Sequence, residues 1–301
     1  MEADYHIPVL LKEAIDGLNI KPGGVYVDCT YGGGGHSNAI LNKLNQEGKL
    51  VAFDQDADAK RNLANDPRLI FEAHNFRHIG RFLRLHKINA VDGILADLGV
   101  SSYQFDEGSR GFSIRYDASL DMRMNQQQEQ TAATLIATTS ESALHKIFEQ
   151  YGEVTNAKTL ARTLVEKRKL APIRTINEFK QALQSVVKGN PNKYFAQVFQ
   201  ALRIAVNDEL GSLRELLQQV PSLLRSEGRV AIITFHSLED RIVKNFFRHG
   251  KDAPGAVDEI YGGREESPLR VITPKPIEPG EEELKINPRS RSARLRIAEK
   301  K

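Results

Sequence analysis

The N-terminal third of the chain alternates short apolar runs with stretches whose apolar residues have helical spacing. Four runs predict strands, at Val25–Thr30, Leu50–Asp54, Leu69–Ala73 and Val91–Leu98. Because these runs are almost continuously apolar, they indicate a parallel sheet that is buried on both faces. Residues 8–18 predict a short helix ahead of the first strand, capped by Asp4 or His6. The alternation is typical of an α/β fold.

The middle of the chain is helical in character and contains no strand-like run before Arg229–Phe235. Apolar residues in Ala157–Val165 recur at the spacing of one helix face. Thr175, with a glutamate three residues later, forms the signature of a capping box. A further helix begins at Phe195, and the pattern extends it as far as Pro221. We therefore predict an all-helical domain inserted into the α/β domain.

Two further segments complete the predicted sheet. After the fifth strand, His236–His249 predicts a helix with Ser237 as its cap. Leu269–Thr273 and Ala293–Ala298 predict two closing strands. The predicted organisation is residues 1–108 and 208–301 for the α/β domain and residues 109–207 for the helical insertion. We expect the insertion to recognise the substrate.

The composition of the 301-residue chain excludes several classes of protein. Hydrophobic residues make up 40% and charged residues 27%, as in ordinary folded domains. A single cysteine excludes a disulfide framework and a cysteine-based zinc site, and the eight histidines lack ligand spacing, so no metal is expected. No apolar run approaches the roughly 20 residues of a membrane span, and the N-terminus lacks the pattern of a signal peptide. We expect a soluble, cytoplasmic protein without a membrane partner.

The formal net charge of +3 is too small to indicate a nucleic-acid partner by itself, but the charge is unevenly distributed. Residues 73–90 contain four lysines and arginines and no acid. Residues 158–174 contain six against one acid, and residues 285–301 contain seven against one. Such segments are either solvated helix faces or contacts for phosphate groups.

The most informative segment is a run of four glycines, Gly32–Gly35, between the first strand and a predicted helix. Glycines at this place let a ligand approach the backbone and its amide groups closely. A nucleoside-triphosphate loop would continue with lysine, and a dinucleotide fingerprint would need a later glycine, but His36 and Ser37 follow instead. The remaining pattern, D-x-T-x-G-x-G from Asp28, is similar to the first motif of class I S-adenosylmethionine methyltransferases, with Thr30 where glycine is more usual.

Other candidate ligand-binding residues follow the next strands of the predicted sheet. Asp54 ends the second strand, where folds of this kind bind ribose hydroxyls; the other interpretation is a loop-capping aspartate. Phe76 follows the third strand and either packs on an adenine or belongs to the core. Asp97 ends the fourth strand, where open α/β sheets bind their ligands, or else it caps its own loop.

The chain resembles the RsmH (MraW) family of ribosomal RNA methyltransferases along its whole length. The matching words are HxPVLL from His6, GGGHS from Gly33, VDGIL from Val91, DLGVSS from Asp97, RGFS from Arg110, LDMRM from Leu120, FQALRI from Phe199, VNDEL from Val206, FHSLEDRIVK from Phe235 and NPRSRSA from Asn287. A matching segment as long as FHSLEDR does not arise by chance together with the other matching segments in the same order along the chain.

The resemblance implies a class I methyltransferase that transfers a methyl group from S-adenosylmethionine to a cytosine N4 atom of 16S rRNA. It places the substrate in the decoding centre near the P site, within an assembled small ribosomal subunit. The cofactor contacts of the family correspond here to Gly34, Gly35, His36, Asp54, Phe76, Asp97 and Gln104. The oligomeric state is left open between a monomer and a homodimer.

The chain departs from the family pattern at four places. Tyr103 stands where a proline is usual, and Ala118 and Ser119 replace glycine and proline. Residues 193–196 replace a His-Pro-Ala-Thr word, and Val154 stands where a second glutamate is usual. These departures bear on the loops and RNA contacts of the insertion rather than on the cofactor site.

The reaction suggests a role for Asp97. The N4 lone pair of cytosine is delocalised into the ring, so an acceptor for an N4 hydrogen helps the nitrogen attack the methyl group. We expect Asp97, or a backbone carbonyl beside it, to accept this hydrogen bond while the base is held out of its stack. The other interpretation is that Asp97 only orients the amino group of the cofactor. His36 is either a general base or, because a helix N-terminus disfavours a charged imidazole, a neutral cofactor contact.

Five further residues are candidates for contacts with the substrate. Arg110, Phe112 and Arg123 are expected to contact RNA or to order a lid. His236 and Asp240 either line a cytosine pocket or cap the helix that they begin. Two other classes of function stay open: a DNA amino-methyltransferase with the same cofactor pocket, and a non-catalytic RNA-binding or assembly factor.

Overall fold

The computed structural model describes residues 8–252 and 267–301, which form two compact units. The first unit comprises the chain up to Gly99 together with Leu210–Lys301, and the second comprises Val100–Glu209. The second unit therefore begins at Val100 rather than at residue 109, because Val100 and Phe105 pack against its apolar core. It ends two residues beyond the predicted boundary at 207.

The first unit is built on a seven-stranded sheet. Its strands are β1 (Val25–Asp28), β2 (Lys49–Phe53), β3 (Leu69–Glu72), β4 (Val91–Asp97), β5 (Leu224–Thr234), β6 (Leu269–Val271) and β7 (Arg294–Lys300). The strand order is β3-β2-β1-β4-β5-β7-β6, and only β7 runs antiparallel to its neighbours. All seven predicted strands are present, and the predicted α/β class is confirmed.

The sheet positions differ from the predictions mainly at the ends of strands. β5 begins at Leu224, five residues before the predicted start, and its pairing with β4 is irregular between Val91 and Gly93. The side chains of β4 are buried from Val91 to Ala96, as expected for a strand covered on both faces. Only its last residue, Asp97, is partly exposed, so this acid stands where the strand leaves the core.

Helices cover the sheet and make up most of the second unit. They are α1 (Leu11–Leu18), α2 (Gly35–Lys43), α3 (Ile79–Leu85), α4 (Ser102–Asp106), α5 (Ala132–Thr138), α6 (Glu141–Gln150), α7 (Ala157–Leu170), α8 (Ile176–Leu183), α9 (Pro191–Asn207), α10 (Glu209–Leu223), α11 (Ser237–His249) and α12 (Glu281–Ile286). Within the described ranges, no helix is long and apolar enough to cross a membrane. The candidate helix caps Asp4 and His6 lie outside the described residues. The matching segment HxPVLL, which His6 begins, is therefore described only from Pro8 onwards.

The second unit has its own apolar core, formed by helices α5 to α9 and the loops between them. The predicted capping box is confirmed, because Glu178 N donates to Thr175 Oγ1 (3.2 Å) and Thr175 N donates to the Glu178 carboxylate (3.0 Å). The prediction of one helix from Phe195 to Pro221 is wrong. Asp208 adopts a left-handed conformation (φ 46°) that ends α9, and α10 begins at the next residue.

Candidate active site

Three carboxylates stand at the carboxyl ends of adjacent strands. Asp28 is the last residue of β1, Asp97 is the last residue of β4, and Asp54 directly follows β2. Because these strands are parallel neighbours, their ends bring the three acids to one edge of the sheet. Among the described residues, no lysine or arginine forms an ion pair with any of the three. Negative charge therefore accumulates here without a matching cation.

Asp28 is the most deeply buried of the three, with 1% of its surface exposed. Its Oδ2 accepts a hydrogen bond from the Ser37 hydroxyl (2.6 Å), and its Oδ1 accepts one from the Thr30 backbone amide (3.0 Å). Burial raises the pKa of Asp28, against the lowering effects of nearby His36 and Ser37. Ser37 was not predicted as a site residue from the sequence. Its position in the first turn of the helix after the glycine loop is the feature that indicates this role.

The glycine loop connects β1 to α2 and has one open side. Gly34 is the left-handed residue (φ 79°) before α2, and a Cβ there would lie 2.8 Å from the Tyr31 hydroxyl. A Cβ on Gly35 would lie 2.1 Å from Cγ of Pro8, so both predicted cofactor-binding glycines are also required by packing. A Cβ on Gly33 would meet nothing within 4 Å. The loop is therefore open to a ligand at Gly33.

Asp54 holds the same loop from the β2 side. Its carboxylate accepts hydrogen bonds from the backbone amides of Gly32 and Asp56, both at 2.8 Å. Burial raises the pKa of Asp54 to about 6, with smaller contributions from the charges of Asp56 and Asp28. Phe76 lies in a short turn after β3 and is half-buried. Both interpretations of Phe76, packing on an adenine and belonging to the apolar core, stay predictions.

Asp97 differs from the other two acids because one of its oxygens has no partner. Oδ1 is buried and accepts no hydrogen bond from the described residues, although the side chain as a whole is 22% exposed. The other oxygen, Oδ2, lies 3.7 Å from Nδ1 of His36. Burial, with the charges of Asp28 and two glutamates, raises the pKa of Asp97 well above its ordinary value. One oxygen of this carboxylate is thus an acceptor that none of the described residues uses.

His36 is buried between a backbone carbonyl and Asp97. Its Nε2 lies 3.1 Å from the carbonyl oxygen of Val9, which only accepts, so Nε2 carries the proton. The ring therefore turns Nδ1 towards the Asp97 carboxylate. These contacts fix the orientation of the ring. Both interpretations of His36, a general base and a cofactor contact, stay predictions.

These features fit S-adenosylmethionine. The ligand carries two positive charges, on its sulfonium and its ammonium group, and the site offers buried carboxylates without lysine or arginine partners. Its ribose hydroxyls match an acid at the end of β2, which is Asp54. The open backbone at Gly33 allows close approach. The chemistry of the donor set, buried carboxylates without lysine or arginine partners among the described residues, therefore suits a cationic ligand with hydrogen-bond donors.

Gln104, the remaining predicted cofactor contact, belongs to the second unit. It is buried in α4, where its side chain and backbone form a capping box with Ser101 at 3.2 Å in each direction. This bond uses the side-chain oxygen Oε1. The role of Gln104 towards the cofactor stays a prediction.

The three predicted RNA contacts of the insertion are engaged inside the second unit. Arg110 is buried, donates to the carbonyls of Arg123 and Met124 (3.0 and 3.2 Å) and lies over the Phe112 ring. Arg123 forms a bidentate ion pair with Asp121, with both bonds at 2.8 Å. Phe112 is part of the apolar core. These contacts favour the interpretation that the three residues order the loop, and they weigh against direct RNA binding.

The two candidates at the start of α11 also have internal partners. The helix cap is His236 rather than Ser237, because Nδ1 of His236 accepts a hydrogen bond from the Glu239 amide (3.4 Å). Asp240 is buried and forms a bidentate ion pair with Arg296 of β7, at 2.6 and 3.1 Å. Asp240 therefore fastens α11 to the sheet, and the alternative of a structural role is favoured over a cytosine pocket.

Comparison with known proteins gives a consistent result. Residues 3–301 match the MraW methylase family. The ribosomal RNA small subunit methyltransferase H of Bacteroides thetaiotaomicron is 50% identical over 301 residues, covering 100% of this chain and 99% of that protein. Its counterpart in Cytophaga hutchinsonii is 52% identical over 299 residues, covering 98% and 99%. A crystal structure of an rRNA methylase from Streptococcus thermophilus is 12% identical over 98% of both chains, and its TM-score of 0.42 is too low to carry an argument.

The pKa of Asp54 predicts how ligand affinity depends on pH. Above pH 6 the carboxylate is ionised and able to accept hydrogen bonds from the ribose hydroxyls that we predict it binds, and below about pH 6 it becomes protonated. The Kd for S-adenosylhomocysteine should therefore rise as the pH falls through 6, by up to about tenfold per pH unit. Calorimetry from pH 5 to 8 measures this. In Asp54→Asn the part of the dependence centred near pH 6 should vanish; an unchanged profile would contradict the assignment.

The ion pair between Asp240 and Arg296 predicts a loss of stability without a loss of chemistry. Asp240→Ala leaves the Arg296 guanidinium buried without its partner, which should lower the free energy of unfolding by about 3 kcal/mol. Urea unfolding measures the change, and Asp16→Ala, which breaks an exposed pair with Lys12, is the control with little effect. At temperatures where Asp240→Ala is folded, its kcat should equal that of the wild type. A kcat reduced tenfold or more would instead favour the cytosine pocket.

Proposed function

The chain belongs to the MraW methylase family and is a methyltransferase with S-adenosylmethionine as its methyl donor, and we propose that it methylates the N4 amino group of a cytidine in 16S rRNA. We propose further that the cytidine lies at the P site of an assembled small subunit, in the cytoplasm. The observation that supports the reaction most is the buried, unpartnered Oδ1 of Asp97 at the end of β4.

The chemistry explains why an unused acceptor supports this reaction. S-adenosylmethionine supplies a methyl group activated by a sulfonium, so the protein contributes position and electrostatics. Oδ1 of Asp97 accepts one N4 hydrogen of the cytosine, which draws the nitrogen lone pair out of the ring and towards the methyl group. As the N4–methyl bond forms, the methyl–sulfur bond breaks, its electron pair stays on the sulfur of the leaving S-adenosylhomocysteine, and the nitrogen must lose one proton. The raised pKa of Asp97 suits its carboxylate to take that proton.

An RNA substrate is supported first by the names of the relatives, which describe methyltransferases of small-subunit ribosomal RNA. It is supported further by α3 and the turn after it. Arg81, Arg84 and Lys87 are exposed there, and none of them pairs with a carboxylate among the residues that the structure describes. The acid beside this segment, Glu72, is bonded to His86. Exposed cations that have no carboxylate partner leave a surface that attracts phosphate groups.

The other two basic segments differ from each other. In α7 of the second unit, Lys158, Lys167 and Lys169 are exposed and form no ion pair within the described ranges. In the C-terminal segment, by contrast, Arg294 and Arg296 both contact the Asp240 carboxylate. The first and second basic segments therefore support contacts with RNA, and much of the third serves the fold.

Transfer of a labelled methyl group to defined substrates tests the proposal. Purified chain and S-adenosylmethionine with a tritiated methyl group are incubated with small subunits that lack the mark, with naked 16S rRNA and with duplex DNA. We expect the label in the RNA of the small subunits and little or none in DNA, with S-adenosylhomocysteine as an inhibiting control. Label in DNA would favour the DNA amino-methyltransferase, and absence of label from every substrate would favour a non-catalytic factor.

Substitution of Asp97 separates its two interpretations. Asp97→Asn keeps the size of the side chain but removes the charge and the proton acceptor, so kcat should fall by about a hundredfold or more. The Kd for S-adenosylhomocysteine, measured by calorimetry, should change less than threefold. Asp66→Asn, at an acid paired with Arg68 in the loop before β3, is the matched control and should change neither quantity. Lost cofactor binding in Asp97→Asn would show that the carboxylate orients the cofactor instead.

A further inference from the structure

We propose that Thr30 is a positioning residue, whose hydroxyl sets the place of Asp97 for methyl transfer; this inference rests on the proposed function. Thr30 Oγ1 accepts a hydrogen bond from the backbone amide of Asp97 at 2.7 Å. The same hydroxyl lies 3.5 Å from Oδ1 of Asp28. One side chain of the glycine loop thus joins the ends of β1 and β4, the two strands that carry these acids.

The sheet register explains why a side chain is needed at this point. Backbone pairing between β1 and β4 ends at Asp28 and Leu95, and the last ladder bond runs from the Cys29 amide to the Leu95 carbonyl (2.8 Å). The next donor of β4 on this side is the Asp97 amide, where β1 has already turned into the glycine loop. The Thr30 hydroxyl takes the place of the missing backbone carbonyl. It therefore extends the ladder by one bond, to the residue that carries the unpartnered carboxylate.

The direction of the hydroxyl proton follows from its partners. Because the Asp97 amide donates to Oγ1, the single hydroxyl proton of Thr30 is left for an acceptor, and Oδ1 of Asp28 is that acceptor. Asp28 is itself held by the Ser37 hydroxyl (2.6 Å) in the first turn of α2. A continuous series of hydrogen bonds therefore runs from α2 through Asp28 and Thr30 to the backbone of Asp97.

This series has a consequence for catalysis. The peptide of Asp97 determines where its side chain begins, and a β-branched residue such as threonine has a stiff χ1 angle that holds the hydroxyl in place. Most class I methyltransferases resembling this motif have glycine here, which supplies no such bond. In this chain, the hydroxyl of Thr30 fixes the Asp97 carboxylate relative to the loop that is open to the cofactor. Small displacements of reacting groups are costly to the rate.

Four variants test the inference. Thr30→Val keeps the branched shape of the side chain but removes the hydroxyl. Thr30→Gly removes the hydroxyl together with the rest of the side chain. In both, kcat for methyl transfer to small subunits should fall by about tenfold or more, because misplaced catalytic groups lose much of their effect. Thr30→Ser keeps the hydroxyl and should stay within threefold of the wild type. Thr273→Val is the matched control: it removes another threonine hydroxyl that accepts a backbone amide, that of Ile297 (2.8 Å), and should leave kcat unchanged.

Two further measurements separate positioning from a general loss of stability. Hydrogen exchange at the Asp97 amide should accelerate in Thr30→Val but not in Thr30→Ser or Thr273→Val. In the Asp97→Asn background, Thr30→Val should lower kcat no further, because a residue that acts through Asp97 has nothing left to position.

The outcomes distinguish this inference from the proposed function. If the wild type transfers no methyl group to small subunits, the proposed function fails. If the wild type is active and Thr30→Val and Thr30→Gly keep its kcat, only the inference is overturned. It is also overturned if Thr30→Ser loses as much activity as Thr30→Val, if the Asp97 amide exchanges at the same rate in both, or if the effects of Thr30→Val and Asp97→Asn multiply in full.

Discussion

The burial of three carboxylates at one edge of the sheet is the constraint on which the rest of the site depends. The strand order places the ends of β2, β1 and β4 side by side, and each end carries an aspartate. Removing a carboxylate from water is unfavourable unless it is hydrogen-bonded or paired. The pKa values of Asp28, Asp54 and Asp97 are all raised by burial, which shows that the protein leaves part of this cost unopposed.

The glycine loop offsets the cost of burial to a different extent for each of the three carboxylates. Asp54 receives the amides of Gly32 and Asp56, and Asp28 receives the Ser37 hydroxyl and the Thr30 amide. Oδ1 of Asp97 accepts no hydrogen bond from the residues that the structure describes. The same few residues therefore close the loop and hold two acids in place. In the proposed reaction, the cytosine amino group supplies the donor for this third carboxylate.

Much of this arrangement was predictable because it is local or periodic. The apolar runs predicted all seven strands, and Asp54 and Asp97 were placed at strand ends from their positions in the sequence alone. The capping box at Thr175 was predictable for the same reason, since its partners are three residues apart. Composition added little: a net charge of +3 concealed two segments in which several cations, such as Arg84 and Lys167, are exposed and form no ion pair with the described residues. The ordered family words supplied the chemistry.

The roles that the sequence left open and the helix boundary that it predicted wrongly share a physical cause. The sequence alone does not distinguish an arginine or aspartate that contacts RNA from one that binds a buried partner, because that partner can be distant in the sequence. Arg110 contacts carbonyls that lie 13 and 14 residues away, and Asp240 pairs with an arginine 56 residues away. The helix break at Asp208 depends on a left-handed backbone that no periodicity signals. Gly35 was assigned to the cofactor, but its lack of a side chain also admits Pro8.

The nucleoside formed in the RNA tests the account most directly. Small subunits are incubated with the chain and with S-adenosylmethionine carrying a deuterated methyl group, and the 16S rRNA is then digested and mapped by mass spectrometry. The account predicts one labelled nucleoside, a cytidine methylated on N4, in the oligonucleotide of the P site. A label on a ring carbon or on a ribose would contradict the role assigned to Asp97, because neither position presents an amino hydrogen to its carboxylate. A label on another base would contradict the proposed cytidine substrate.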